Sequence, residues 1–314
     1  MKKLLALSLI LVMLLCSCAG VNKDDRKKSD AGEENDNKNQ AGVVYTLYAA
    51  THDGADKIEN LFKESTDMKI ENISDKNFVV SDFSNEVTAP SSVLQSKKVT
   101  VDGKERSLSF FSATVSEFAS SKAYAKKNLG TAYTYKFTEG MGHIAFNGAS
   151  DNILWFFDAD ASRSEKAGTL TETELSEKAD TLFADLYGKE TAELYTAIDC
   201  GKSDEKTFIK TFSRKVYGYE TNDTVKFVLN ASGELCVIYA ENFGLFDGAT
   251  SDIKKEEIEA AEKLLRESVG DDWSLATTSS VQRDSAGQFF VMIKGTNDKL
   301  SGENYEQSFY INVN

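Results

Sequence analysis

The chain has 314 residues and a formal net charge of −14. So acidic a balance argues against nucleic acid as a partner and against direct adhesion to anionic lipid. With 19 Phe and 12 Tyr a sizeable core can form, whereas Pro90 is the single proline, so turns must rely on Gly, Asn, Asp and Ser.

The chain opens with a short cationic start, Met1-Lys2-Lys3, followed by an apolar run from Leu4 to Leu15 that only Ser8 interrupts. As a helix this run rises about 18 Å, against roughly 30 Å for a bilayer core. Residues 1–17 therefore read as a signal peptide and not as a membrane span. Leu15-Cys16-Ser17-Cys18 ends the run and is similar to the lipobox of bacterial lipoproteins. The resemblance implies a diacylglycerol on the Cys18 thiol, cleavage before that residue, and anchoring on the extracytoplasmic face of the cell membrane. Lipidation at Cys16 would instead place Leu15 at the cleavage point, where a small residue is needed. An ordinary secretory signal is the alternative. Two or three acyl chains, at about 0.8 kcal/mol per buried CH₂, would make the attachment effectively permanent.

Residues 18–42 read as the lipidated cysteine and a solvated tether. Val21 to Gln40 holds five basic and six acidic residues and almost nothing apolar, too little to offset the entropy of ordering. Loss of Lys2 and Lys3 with the leader takes the net charge from −14 to −16. Only Cys200 and Cys236 then remain as thiols, in a compartment where a disulfide persists. Cys200 falls in a polar stretch read as a loop (Asp199-Cys200-Gly201-Lys202), and Cys236 in an apolar strand. A Cys200–Cys236 bridge is one reading, and a buried thiol with a separate exposed one is the other, because sequence does not give the Cα separation.

Residues 43–165 read as an N-terminal α+β domain. Val43 to Ala49 is a strand, Asp56 to Lys63 carries Ile58, Leu61 and Phe62 at helical spacing, and Met68 to Ile73 alternates again. This opening resembles that of extracellular solute-binding proteins of transporters over about thirty residues; an ordinary packed βαβ start is the alternative. Phe78 to Asp82 is a short strand. Lys97 to Val101 and Arg106 to Thr114 flank Asp102-Gly103, a strong hairpin signal. Val115 to Leu129 reads as a helix, and Tyr133 to Phe137, His143 to Phe146 and Asn152 to Asp158 read as strands.

Residues 166–314 change rhythm. Thr171 to Gly188 has a cap, acids in its first turn and an apolar stripe of Leu175, Ala179, Leu182, Phe183 and Leu186. Strands follow at Phe208 to Tyr219, Thr224 to Leu229 and Leu235 to Glu241. A second helix runs from Ser251-Asp252 to Gly270, with strands at Ser274 to Gln282, Gln288 to Lys294 and Glu306 to Val313. A shift of 82 residues superposes Ala179 on Ala261, Leu182 on Leu264 and Gly188 on Gly270, a tandem α-β-β-β pattern with copies at 166–250 and 251–314. The Thr/Ser-x-x-Glu helix start and the strand-turn segment Val225 to Leu235 resemble PepSY-type modules of secreted proteins and lipoproteins, chiefly of Gram-positive bacteria. That resemblance implies a small α+β module that binds or restrains a protein or peptide partner, and it carries no catalytic residue with it. The fold class expected is α+β, antiparallel sheets each packed by a helix.

The search for chemistry is spare. His52 with Asp53 and Asp56 could make a weak surface metal site, and His143 lies in an apolar strand; neither supports a metal centre. Asp158-Ala159-Asp160-Ala161-Ser162 starts like a calcium loop, but Arg163 and Thr169 stand where Gly and Glu are required. No nucleophile motif is convincing around Ser121-Lys122 or Ser164-Glu165-Lys166, no cofactor motif is present, and carboxylate pairs are too common to single one out. Trp155, Phe156 and Phe157 line either a binding surface or a core strand. The reading is a non-enzymatic envelope lipoprotein that binds a protein or peptide. The alternatives are a transporter's solute receptor and a hydrolase using paired carboxylates.

Overall fold

The structure, a computed structural model, describes residues 45–49, 61–116, 130–164, 168, 170–297 and 305–313. Cys18, His52 with Asp53 and Asp56, and Ser121-Lys122 lie outside the described residues, as do most of the helices expected at Asp56 to Lys63 and Val115 to Leu129.

In chain order the first strands are β1 (Thr46–Ala49), β2 (Lys69–Asn72), β3 (Asn85–Val87), β4 (Ser96–Val101) and β5 (Lys104–Val115). They continue with β6 (Thr131–Phe137), β7 (Gly142–Asn147) and β8 (Ile153–Asp158). Three helices follow, α1 (Ala159–Ser162), α2 (Glu172–Tyr187) and α3 (Lys189–Ala192). Then come β9 (Tyr195–Lys202), β10 (Thr207–Val216), β11 (Tyr219–Asn230) and β12 (Leu235–Glu241). The chain closes with α4 (Ala249–Asp252), α5 (Lys255–Ser268), β13 (Ser274–Leu275), β14 (Ser280–Arg283), β15 (Phe289–Asn297) and β16 (Tyr305–Val313). The architecture is mixed α/β and dominated by one large, mostly antiparallel sheet. None of the described helices is long and apolar enough to cross a membrane.

The sheet has two arms that share β11. One arm runs β9-β10-β11-β12-β8-β7-β6-β5, antiparallel throughout, with β3 and β4 both paired to β5. The other runs β2-β1-β16-β15-β14, and β14 joins β11 through two parallel pairs, Glu220 to Ser280 and Thr221 to Val281. Strand pairing thus crosses the linear division at 165/166: β8 pairs with β12, and β1 with β16.

Each arm has its own apolar core. In the first, Leu175, Ala179, Leu182 and Phe183 of α2 are buried with Phe156, Phe212, Phe227 and Ile238 from the strands. The helix forms because its apolar residues recur on one face, and Thr171 closes its start: the Thr171 hydroxyl accepts from Glu174 N–H, and the Glu174 carboxylate accepts from Thr171 N–H. In the second, Ile258, Ala261 and Leu265 of α5 pack with Leu47, Val291, Ile293, Phe309 and Ile311.

Several expectations need correction. The helix expected from Ser251 to Gly270 is two helices, broken at Ile253, whose φ of −140° and ψ of 146° are extended. The break buries the Ile253 side chain, while its carbonyl accepts from Tyr217 Oη–H at 3.1 Å. The strand expected over Phe208 to Tyr219 is interrupted by a turn at Tyr217-Gly218, both with positive φ (51° and 91°), so β10 and β11 form a hairpin there. The strand expected at Ser274 to Gln282 is likewise split, β13 and β14 both pairing with β15. Val115, expected to open a helix, ends β5. The strand expected over Phe78 to Asp82 is absent: Asp75–Phe78 is a 3₁₀ turn, and the N–H groups of Val80 and Ser81 donate to the Asn242 side chain instead of a neighbouring strand.

Candidate functional site

Of the cysteines, the structure describes Cys200 and Cys236, and both are free. The stretch expected as a loop around Cys200 is the strand β9, in which Cys200 lies opposite Lys210. Lys210 lies opposite Phe227, and Phe227 opposite Ile238. Three inter-strand steps of about 4.8 Å put Cys200 about 14 Å from the β12 backbone, about twice the separation of roughly 7 Å beyond which no bridge forms. The Cys200–Cys236 bridge is therefore excluded by the strand order. Burial, the largest influence, pushes the Cys236 thiol up to about 11. Cys200 is exposed.

β9 is the outermost strand of its arm. Among the described residues it is hydrogen-bonded to β10 and to no other strand, and Thr196 to Cys200 are all exposed. Ser203 N–H donates to Thr207 O at 3.0 Å. In an antiparallel ladder bonded and non-bonded pairs alternate, so Gly201 and Asp199 face β10. The N–H and C=O of Cys200 and Lys202 then point outward. From the other end, Lys215 N–H donates to Leu194 O at 2.9 Å, and the same alternation turns Ala197 outward. Between these stretches Ile198 is bulged out of register. Leu194 and Ile198 are exposed, at 46% and 40%.

Beneath β9 lies a polar cluster made with α2. The Lys210 side chain, 6% exposed, pairs with Asp180 at 2.6 Å and donates to Ser176 Oγ at 2.8 Å. Cys200 Sγ donates to the same Ser176 Oγ at 3.6 Å. Through Asp180 and Ser176, Lys210 holds the first half of α2 against β10.

A second polar cluster occupies the junction of the two arms. Fully buried Asp223 accepts from Tyr195 Oη–H at 2.6 Å through Oδ1 and from Gly244 N–H at 3.0 Å through Oδ2. Burial pushes its carboxyl up to about 7, with Asp247 adding to the rise, while the Tyr195 hydrogen bond, Arg214 and the Gly244 hydrogen bond act the other way. Tyr195 in turn is pushed well above the ordinary phenol range by burial and then by Asp223. Asn222 and Asn242 complete the junction. Asn222 donates through Nδ2 to Phe78 O and Arg283 O, and accepts from Arg283 N–H at 2.9 Å.

This arrangement fixes a pH dependence. The Asp223 carboxyl titrates above its ordinary value of 3.8, so the folded state holds the proton more tightly than the unfolded chain. Its stabilising contribution is complete below about pH 4 and is lost as pH rises through about 7. Thermal unfolding should therefore show Tm falling by about 5 °C between pH 5 and pH 8 from this group, and Asp223→Asn should flatten that component. A slope in the variant equal to that of the parent would refute the assignment.

The remaining candidates take structural places. The Asp158 carboxylate caps α1, accepting from Asp160 N–H and Ala161 N–H, each at 3.0 Å, and pairs with Arg106. Phe156 is in the core, whereas half-buried Trp155 and Phe157 lie against Phe83 (5.9 Å) and His143 (5.6 Å). Burial, and then Lys136, lower the pKa of His143. Among the described residues, no three His, Cys, Asp or Glu side chains are placed to hold a metal ion. The exposed edge was not visible in the sequence because Thr196 to Cys200 has no apolar period. Compared with protein-family models, curated proteins and solved structures, the chain matches none.

Proposed function

We propose that the chain is a lipid-anchored protein of the cell envelope that binds an extended stretch of partner polypeptide, added as a strand along β9. The observation that carries this reading is the eight-residue edge of β9, whose outward N–H and C=O groups at Ala197, Cys200 and Lys202 meet no described strand. Edge strands are blunted by proline, by Lys or inward charges, by bulges or by a covering element. β9 carries one bulge and Lys202 but no proline, and Thr196 to Cys200 are exposed. Strand addition draws affinity from backbone hydrogen bonds and specificity from alternate side chains, and exposed Leu194 and Ile198 offer apolar contacts at the edge.

The lipobox-like Leu15-Cys16-Ser17-Cys18 supports an extracytoplasmic, lipid-anchored location through Cys18. A hydrolase would need an acid of raised pKa facing substrate. Two described acids have a raised pKa, Asp223 and Glu241, each chiefly through burial; Asp223 is fully buried with both its oxygens engaged, so it does not face a substrate. We also take α2 with β9–β12 and α5 with β13–β16 as tandem copies of one α+β module of PepSY type. In both helices a Glu at the third position accepts from the N–H of the capping residue, Glu174 from Thr171 and Glu257 from Lys254, and both helices are succeeded by antiparallel strands.

Crosslinking and pull-down from detergent-solubilised envelopes tests the reading, with Lys202→Pro as the diagnostic variant. The Lys202 N–H points away from β10, so proline removes no ladder bond inside the chain yet blocks an added strand. Wild-type protein should yield a polypeptide crosslinked at β9, and Lys202→Pro should recover about tenfold less of it while keeping its Tm. Equal recovery by the two proteins would overturn the proposal.

A further inference from the structure

We propose that the strand received by β9 is β9 of a second copy of this chain, paired about a two-fold axis at Cys200, and that the two Cys200 thiols join as a disulfide. This rests on β9 being a strand-addition edge and names its occupant.

Register geometry carries the argument. The backbone groups of Cys200 point outward on β9, and about a two-fold axis at that residue Cys200 meets itself while Lys202 meets Ile198, the bulged residue. A two-fold axis through the edge at Cys200 places that residue opposite itself as a hydrogen-bonded pair, with Cα atoms about 5.5 Å apart. A disulfide spans Cα separations of about 4.4–6.8 Å, so the Cα atoms are in range, and the Cβ atoms, about 5.5 Å apart in a hydrogen-bonded pair, must draw in to about 3.5–4.5 Å for the bond to close. Both Cys200 side chains then lie on the same face of the joined sheet, the face that carries α2, because each meets Ser176 of that helix.

Three further observations fit this occupant. Cys200 is an exposed thiol whose partner cannot be Cys236, and an unpaired cysteine in an extracytoplasmic chain points to intermolecular pairing. The β9 strand carries one acid, Asp199, and one base, Lys202, so on a chain of charge −14 it is a neutral surface that two copies can share. Finally, α2 packs over β10, and β10 strands of the two copies would stand three steps, about 14 Å, apart. Packed helices need about 8–10 Å, so the two α2 helices clear each other. The contact is isologous and closes on itself as a dimer.

The chemistry is a two-electron oxidation. Two Cys200 thiols lose two protons and two electrons as the S–S bond forms. A low-molecular-weight disulfide takes up both, its own S–S bond breaking to give two thiols.

The test uses the full-length chain in detergent, with Cys16→Ser and Cys18→Ser so that Cys200 and buried Cys236 are the remaining thiols. Incubation with glutathione disulfide, read by non-reducing gel and by mass spectrometry of the linked peptide, should give a Cys200–Cys200 dimer that dithiothreitol resolves. Cys200→Ser should give no covalent dimer. Lys202→Pro keeps the thiol but blocks the pairing, and should slow covalent dimer formation by about tenfold or more. Dimerisation of Lys202→Pro at the wild-type rate would mean chance encounter of exposed thiols and overturns the proposal. A chain that stays monomeric yet captures another polypeptide at β9 overturns the second copy and leaves strand addition standing. If Lys202→Pro changes neither dimerisation nor capture, both readings fall.

Discussion

Asn242→Ala should lower folding stability by about 4 kcal/mol, the largest loss expected from any single polar side chain in this protein. Asn242 is fully buried, immediately after β12, at the seam between the two arms of the sheet. Its Oδ1 accepts from Val80 N–H at 2.8 Å and Ser81 N–H at 3.0 Å, and its Nδ2 donates to Phe78 O at 2.7 Å and Asn222 O at 2.8 Å. Ser81 Oγ accepts from the Asn242 N–H at 2.8 Å. One amide thus satisfies backbone groups of the segment Phe78 to Ser81, which has no strand partner, and of Asn222 within β11. Truncation strands two donors and one acceptor, while Phe78 O keeps Asn222 Nδ2. A buried group left unpaired costs about 1–3 kcal/mol.

The backbone adds a second component. Asn242 sits at a φ of 55°, a region that asparagine tolerates and alanine resists by about 1–2 kcal/mol. Asn242→Gly should therefore recover about 1 kcal/mol relative to Asn242→Ala while still losing the amide. Urea denaturation of the three proteins separates the two contributions. A loss below about 1 kcal/mol in Asn242→Ala would show that the amide is not what closes the seam.

The same seam shows where sequence reading stops. The hairpin at Asp102-Gly103 was legible because its turn residues need positive φ, and they have it (50° and 70°). The helix Glu172–Tyr187 was legible because a capping box precedes one apolar stripe. Neither signal exists for Asn222, Asp223, Asn242 and Arg283. They fall just outside the expected strands, and their burial depends on partners up to 164 positions away, as between Asn242 and Phe78. Arg283 illustrates the consequence: its guanidinium holds Asp252 at 2.9 Å and Leu245 O at 3.2 Å, fastening the end of α4 just where the expected long helix breaks. β9 was hidden for the opposite reason. An edge strand exposed on both faces has no hydrophobic alternation to betray it, so Asp199-Cys200-Gly201 passed for a loop. Only with β9 seen as a strand do Cys200 and Cys236 become too far apart to bond.

Phe183→Ala should cost about 3–5 kcal/mol, the range for emptying a buried aromatic site. Phe183 is 1% exposed and is the hub of the first core: its ring lies 4.6 Å from Phe212, 5.2 Å from Tyr195, 5.3 Å from Tyr187 and 5.9 Å from Phe227. Aromatic pairs of this kind add about 0.5–1.5 kcal/mol beyond burial. These neighbours come from α2, β9, β10 and β11, which are tied together by packing at a single point, so the cavity cannot close by shifting one side chain. Phe183→Leu keeps most of the volume and should lose about half as much. The loss should extend beyond stability. Tyr195, held in place on one side by Phe183, donates on the other to Asp223. Loosening Tyr195 removes a hydrogen bond that lowers the Asp223 pKa, so the pH-dependent fall in Tm should move to higher pH in Phe183→Ala. Thermal unfolding across pH 5 to 9 reads both effects at once. A destabilised variant whose pH midpoint stays that of the parent would show that the core and the seam are independent.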